Sequence, residues 1–153
     1  NDTIDQNQRL DEFRRLLVVG FDIPLISRYV LGRYWRRASP EERNEYLHLF
    51  EEFLVRTYAA RLGQYGGETL EIKTARTDGD RDVIVRSEII PSDGPAVRVD
   101  WRVRNFDGNY RIIDVVVEGI SMIITQRDEF AAVIESSGGR VEGLLAELRS
   151  RTQ

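Results

Sequence analysis

The sequence predicts an α+β fold, a curved antiparallel sheet of about four strands with N- and C-terminal helices enclosing an apolar pocket. Three observations predict it. Apolar residues in the first third recur at the helical period. The middle third changes to the two-residue period of a half-buried strand. From Thr125 onward the helical period returns.

The first helix is expected from Asp5 to Val19, where Leu10, Phe13, Leu16 and Leu17 share a side and Gly20 breaks the pattern. Asp22 is placed to cap a second helix, with Pro24 in its first turn. Leu25, Ile26, Tyr29 and Val30 supply its apolar face, and Gly32 falls near its end. Ser39-Pro40-Glu41-Glu42 is the sharpest local signal. Ser39 is the cap, Pro40 suits the first helical position, and Glu42 stands where a capping box needs it. The helix that follows should run to about Leu62, with Tyr46, Leu47, Phe50, Phe53, Leu54 and Tyr58 in one wide stripe, and Gly63, Gly66 and Gly67 ending it.

Strands follow. Leu70, Ile72 and Thr74 alternate with Glu71 and Lys73, and Val83, Val85 and Ser87 with Ile84, Arg86 and Glu88. The clearest alternation is Val97, Val99, Trp101 and Val103 against Arg98, Asp100, Arg102 and Arg104, a strand with one dry face and one wet face. Short turns at residues 77–80, 91–95 and 107–109 imply antiparallel neighbours. Tyr110 to Glu118 is apolar on both sides, Ile112 and Val116 on one and Ile113, Val115 and Val117 on the other, which marks a central strand or a bulge. Thr125 to Asp128 reads as the next helix start, Gly138-Gly139 as its stop, and Val141, Leu144, Leu145 and Leu148 as the face of a last helix.

A length of 153 residues fits one domain spanning 1–153. The hydrophobic share of 41% is enough for a core, and a net charge of −4 gives no reason to expect nucleic acid as a partner. No cysteine is present, so disulfides, thiol nucleophiles and Cys-ligated zinc are excluded. No apolar run approaches the roughly 18 residues of a membrane span. The chain opens at Asn1 without a methionine, which reads as a mature or trimmed form.

Catalysis needs a placed nucleophile, base or metal set. His48 is the only histidine, and its helical neighbours put it on the polar side of its helix. With no cysteine beside it, a transition-metal site is not expected, and neither is any cofactor. Asp114 interrupts an apolar strand. It reads as an anchor paired with an arginine such as Arg127 or with backbone N–H groups, and alternatively as the base of a small-molecule enzyme. A glycine-rich phosphate loop is lacking, because Gly63 to Gly67 follow a helix C-terminus. Arg98, Arg102 and Arg104 make a solvated sheet face, with lipid headgroups or an acidic partner as the other reading. Read unaided, the residues yield an α+β domain with an apolar pocket and no catalytic apparatus.

Several stretches carry a resemblance. Residues 30–36 read VLGRYWR, 38–43 ASPEER and 54–58 LVRTY, with Phe50 between; later come DVVVEGIS at 114–121 and TQRDEF at 125–130. In this order and spacing they resemble the MlaC family, phospholipid-binding components of the bacterial Mla lipid-transport system, also labelled toluene-tolerance auxiliary proteins. Met122-Ile123-Ile124 is more apolar than some members, and Tyr110 stands where tryptophan is common. The resemblance implies an NTF2-like fold whose acyl chains lie between sheet and helices. It implies a monomeric carrier in the periplasm, hence a signal peptide absent from this chain. It also implies a phospholipid cargo shuttled between an outer-membrane lipoprotein–porin complex and an inner-membrane ABC transporter with its lipid-binding subunit, which maintains outer-membrane lipid asymmetry.

The expected lipid lining is Val99, Trp101 and Val103 from the third strand, Val115 and Val117 from the fourth, then Met122 and Ile124, with Leu31, Tyr34, Phe50 and Leu54 from the helices. Any one of them could instead be ordinary core, and a little over half are expected to face the cavity. The rival readings are the Asp114 enzyme and a periplasmic protein-binding module, which would expose an apolar patch in place of an enclosed hollow.

Overall fold

The computed structural model describes the backbone of residues 2–62 and 68–153 and the side chains of 7–8, 10–59 and 68–153. Helix α1 (Asp2–Gly20) leads into α2 (Ile23–Leu31), a 3-10 turn (Gly32–Trp35) and the long α3 (Pro40–Leu62). Strands β1 (Thr69–Asp78), β2 (Asp82–Ile90), β3 (Val97–Phe106) and β4 (Asn109–Val117) follow, then the two-residue β5 (Ile120–Ser121). Helices α4 (Met122–Ser136) and α5 (Val141–Arg151) close the chain.

The helix starts are built as the capping residues dictate. Asp22 accepts a hydrogen bond from the Leu25 N–H at 3.1 Å. Ser39 and Glu42 form a reciprocal box, Glu42 N–H to Ser39 Oγ at 3.1 Å and Ser39 N–H to Glu42 Oε1 at 2.9 Å. The glycines expected to end α3 lie outside the described residues. Gly32 ends α2 at φ +62°, and a Cβ there would stand 3.2 Å from Arg127 Cδ. Only glycine suits both the backbone angle and that approach.

One expected boundary shifts. Helix α4 starts at Met122, not near Thr125, because Ser121 caps it by accepting from the Ile124 N–H at 3.2 Å. Met122 and Ile124 therefore occupy the first helical turn and do not extend a strand. At the other end, the Gly139 N–H reaches back to the Ile134 carbonyl at 2.9 Å, closing the last turn.

The sheet is a five-stranded antiparallel meander in sequence order. Its tightest turns, Asp107-Gly108 and Glu118-Gly119, place both residues at positive φ, the geometry that matches strand twist in two-residue hairpins. Of the two alternatives for the fourth strand, central strand or bulge, a bulge is present, at Ile113 between the pairs Val103↔Ile112 and Arg102↔Asp114. A second lies at Lys73, between the pairings of Ile72 and Thr74. The free edge of β4 is covered by the α1–α2 junction, where Asp22 N–H donates to the Ile112 carbonyl at 3.0 Å.

The main core lies within the helical layer. Tyr46, Ile134, Leu144, Leu145 and Leu148 are 0% exposed and pack with Val30, Leu31, Phe50 and Phe130. Phe130 meets the ring of Phe50 edge-on at 6.0 Å. Leu17, Ile23 and Val55 form a smaller cluster beneath α1. The helices meet the sheet at β4, through α1, α2 and α4. No helix among the described residues is long and apolar enough to cross a membrane.

Candidate functional site

Directly paired residues on antiparallel strands project to the same side, so the register defines each face. One side carries Val83, Val103 and Ile112 in a row. Val85, Trp101 and Val115 form the next, and Ser87, Val99, Val117 and Ile120 the one after. It is a continuous apolar face with a single polar side chain across these rows. That hydroxyl is fully paired: Ser87 Oγ donates to the Val99 carbonyl at 2.8 Å and accepts from Trp101 Nε1 at 2.9 Å. The bond fixes the indole N–H to the face and leaves no orphaned polar atom there.

The burial of this face is unlike a packed core. Val99 is 3% exposed, but Val83, Val85, Trp101, Val103, Ile112, Val115 and Val117 are only half-buried. Toward the β1 edge the same face opens to solvent at Leu70 and Ile72. A hollow of about 390 Å³ opens among α3, α4 and α5, lined by Phe53, Tyr58 and Met122 with Thr125, Gln126 and Glu129. Arg151 stands over the Phe53 ring at 5.9 Å. Phe53, Tyr58 and Met122 give the hollow an apolar part, and Thr57, Thr125, Gln126, Glu129 and Arg151 a larger polar one, a lining that suits the polar end of a ligand better than its apolar part.

Of the lining residues expected from sequence, Val99, Trp101, Val103, Val115 and Val117 do share one face. Met122 lines the hollow between the helices, and Ile124, 54% exposed, faces solvent beside it. Leu31, Tyr34 and Phe50 sit inside the helical core, and Leu54 packs between both helical clusters. Val83, Val85 and Ile112 join the face without having been singled out as lining. The signal for Val83 and Val85 was present in the β2 alternation and that for Ile112 in the apolar fourth strand, but only the strand register aligns them with Trp101.

The opposite side of the sheet is an arginine–aspartate lattice. Asp82, 7% exposed, accepts from Arg104 Nε at 2.7 Å and from Arg102, which also reaches Asp78. Asp100 pairs with Arg98 at 2.9 Å. The Arg104 hydrogen bond holds the Asp82 carboxyl below the ordinary aspartate range, and the Arg98 hydrogen bond does the same for Asp100. The row of arginines is therefore committed to carboxylates of its own sheet.

Asp114 is an anchor. It accepts from the Ser121 hydroxyl at 2.6 Å, from its neighbour Val115 N–H at 2.8 Å and from Ile123 N–H at 3.3 Å. It thereby ties β4 to the start of α4. Arg127 is not its partner, since Arg127 Nε donates to the Tyr29 carbonyl at 2.8 Å. His48 is exposed on α3. Among the described residues, no group of three or more His, Cys, Asp or Glu is placed to hold a metal. Tyr46, pushed well above the ordinary tyrosine range by burial, donates to the Ser27 carbonyl at 2.6 Å and serves the core.

With this geometry in hand, similar proteins are informative. The family model described as MlaC protein matches residues 1–150. An intermembrane phospholipid transport system binding protein MlaC from Haemophilus influenzae is 28% identical over 113 residues, 71% of this chain and 53% of that protein. The toluene tolerance protein ttg2D of Pseudomonas putida is 24% identical over 137 residues, 89% of this chain and 64% of that one. The chain thus spans less than two thirds of the length of these relatives. A phospholipid-binding protein from Ralstonia solanacearum, solved in complex with a phospholipid, superposes with a TM-score of 0.80 at 30% identity, covering 94% of this chain and 82% of that one.

Proposed function

The chain belongs to the MlaC family, and from that premise we propose that it is a phospholipid carrier whose acyl chains lie against the apolar face of the sheet. The observation that carries this reading is the half-buried state of that face. Six aliphatic side chains and one indole are aligned and free of unpaired polar atoms, yet are not packed to the density of the helical core. Such a face gains free energy from any apolar occupant, and the phospholipid in the Ralstonia relative supports a lipid in that role.

The physics sets the terms of transport. Each methylene removed from water contributes about 0.8 kcal/mol, so two long chains represent roughly 20 kcal/mol or more. A carrier has to come close to that figure to extract a lipid from a bilayer, and must not exceed it by much if the lipid is to leave. An apolar face with few directional contacts meets both demands. The phosphate stays at the margin, because burying it unpaired is costly. The relatives' names support a place in a lipid-transport system. On that reading the chain works in the periplasm, receiving or delivering lipid at an outer-membrane lipoprotein–porin complex and an inner-membrane ABC transporter. No catalytic step is assigned, since Asp114 is used structurally.

Organic extraction of purified protein followed by mass spectrometry should recover about one equivalent of phospholipid. Val117→Trp, a half-buried position, should leave folding intact and abolish that recovery by filling the space above the face. Full lipid content in a folded Val117→Trp protein would remove the face from the site. Val99→Trp is the poorer test, because Val99 is already buried and overpacking there costs about 1–3 kcal/mol.

A further inference from the structure

A second hollow, of about 400 Å³, lies at the C-terminal end of α2 and shares no residue with the lipid face. Its walls are Arg28, Tyr29, Gly32, Arg33, Trp35, Arg36 and Arg127, four guanidinium groups and no carboxylate. Only Arg33 has an acidic partner, Glu135 at 3.1 Å on the exposed rim, and among the described residues Arg28, Arg36 and Arg127 form no ion pair. The helix C-terminus favours nearby cations, and Arg127 answers that need by bonding the Tyr29 carbonyl. One such cation is sufficient there; Arg33 is taken up by Glu135 and Arg28 by the Trp35 ring, which leaves Arg36 as the cation that no carboxylate or ring answers among the described residues, in a lining whose net charge stays positive. Meanwhile the Trp35 ring meets two cations, Arg28 at 5.8 Å and Arg43 at 4.9 Å from its centroid. A rigid indole framed by arginines is the residue combination that anchors protein interfaces.

We propose that this hollow is a docking surface for an acidic segment of a partner protein. The chain as a whole carries −4, so the patch is a local reversal of sign. That contrast favours an acidic segment at this hollow over the chain's average surface. The hollow is concave, which suits a protruding peptide better than a flat bilayer. The arginine fork matches a carboxylate in a bidentate manner. The inference rests on the partner half of the function proposed above and not on its lipid half.

The test uses fluorescently labelled octaglutamate and anisotropy. Wild-type protein should bind it, and binding should fade between about 0.1 M and 1 M salt as the Debye length shrinks from about 10 Å to about 3 Å. Arg28→Glu/Arg36→Glu, both exposed, should weaken binding about tenfold or more. Arg15→Glu/Arg140→Glu, the same charge change elsewhere, should alter it less than about twofold. No wild-type binding, or equal loss in both double variants, overturns the proposal. So does wild-type binding to phosphatidylglycerol vesicles in place of the peptide. Extracted phospholipid is measured in parallel: unchanged content in Arg28→Glu/Arg36→Glu keeps the two sites separate, and its loss would merge this hollow with the cargo site and overturn the inference.

Discussion

The helical core and the apolar face of the sheet are made from the same kinds of side chain but are packed differently. Leu144, Leu145 and Leu148 of α5 are completely enclosed by α3 and α4. Val83, Val85, Val103 and Val115 are equally apolar and equally well aligned, yet stay half-buried. The difference lies in the opposing layer. Helices on helices interdigitate at close range, whereas these helices meet the sheet chiefly at β4. One region therefore spends its apolar surface on stability, and the other leaves it half-covered, as the proposed lipid site requires.

This contrast predicts separable mutational effects. The largest is in the core: Leu145→Ala should cost about 2–5 kcal/mol in urea unfolding. Lipid content per folded molecule should not change, and a drop in parallel with stability would erase the distinction between the regions.

A smaller effect separates the sheet from the helices by pH. Arg104 and Arg102 depress the Asp82 carboxyl. The stabilisation from that group is full above about pH 4, near the unfolded aspartate value, and is lost as pH falls through the lower folded value. Glu45, held down by Arg149 on the helical side, is exposed and screened, so it contributes little. Unfolding midpoints should thus stay level from about pH 7 to 5 and decline below about 4. Asp82→Asn should cost about 2 kcal/mol at neutral pH and make that decline shallower, with Asp100, held down by Arg98, supplying part of what remains. A full acid decline in Asp82→Asn would assign the acid sensitivity elsewhere.

The smallest effect on stability comes from the face itself. Val103→Ala should cost about 1 kcal/mol, because a half-buried valine gives up less than a buried one. Bound lipid should nevertheless wash out faster than from wild type in a detergent-exchange assay. Wild-type retention would show that β3 contributes nothing to holding the cargo.

Much of this was legible in the residue order. The Ser39–Glu42 box, the Asp22 cap and the β3 alternation depend on neighbours a few residues away, and such signals survive without tertiary context. The Ile113 bulge was visible as a strand apolar on both sides, although its position required the pairing with β3. The start of α4 was misjudged because its cap, Ser121, is fixed by Asp114 across a turn. Leu31, Tyr34 and Phe50 could not be told from lining residues, since periodicity reports the side a residue faces and not how closely the next layer approaches.

The sequence by itself determined the order of helices and strands, the dry and wet faces of the sheet and the lack of cysteine chemistry. Tertiary structure alone decided which apolar face is filled and which is left half-covered. It also paired Asp82 and Asp100 with the sheet arginines while leaving Arg28 and Arg36 without carboxylates among the described residues. The physical reason is range. Capping and alternation are set by covalent spacing, whereas packing density and ion pairing depend on distances between elements far apart in the chain.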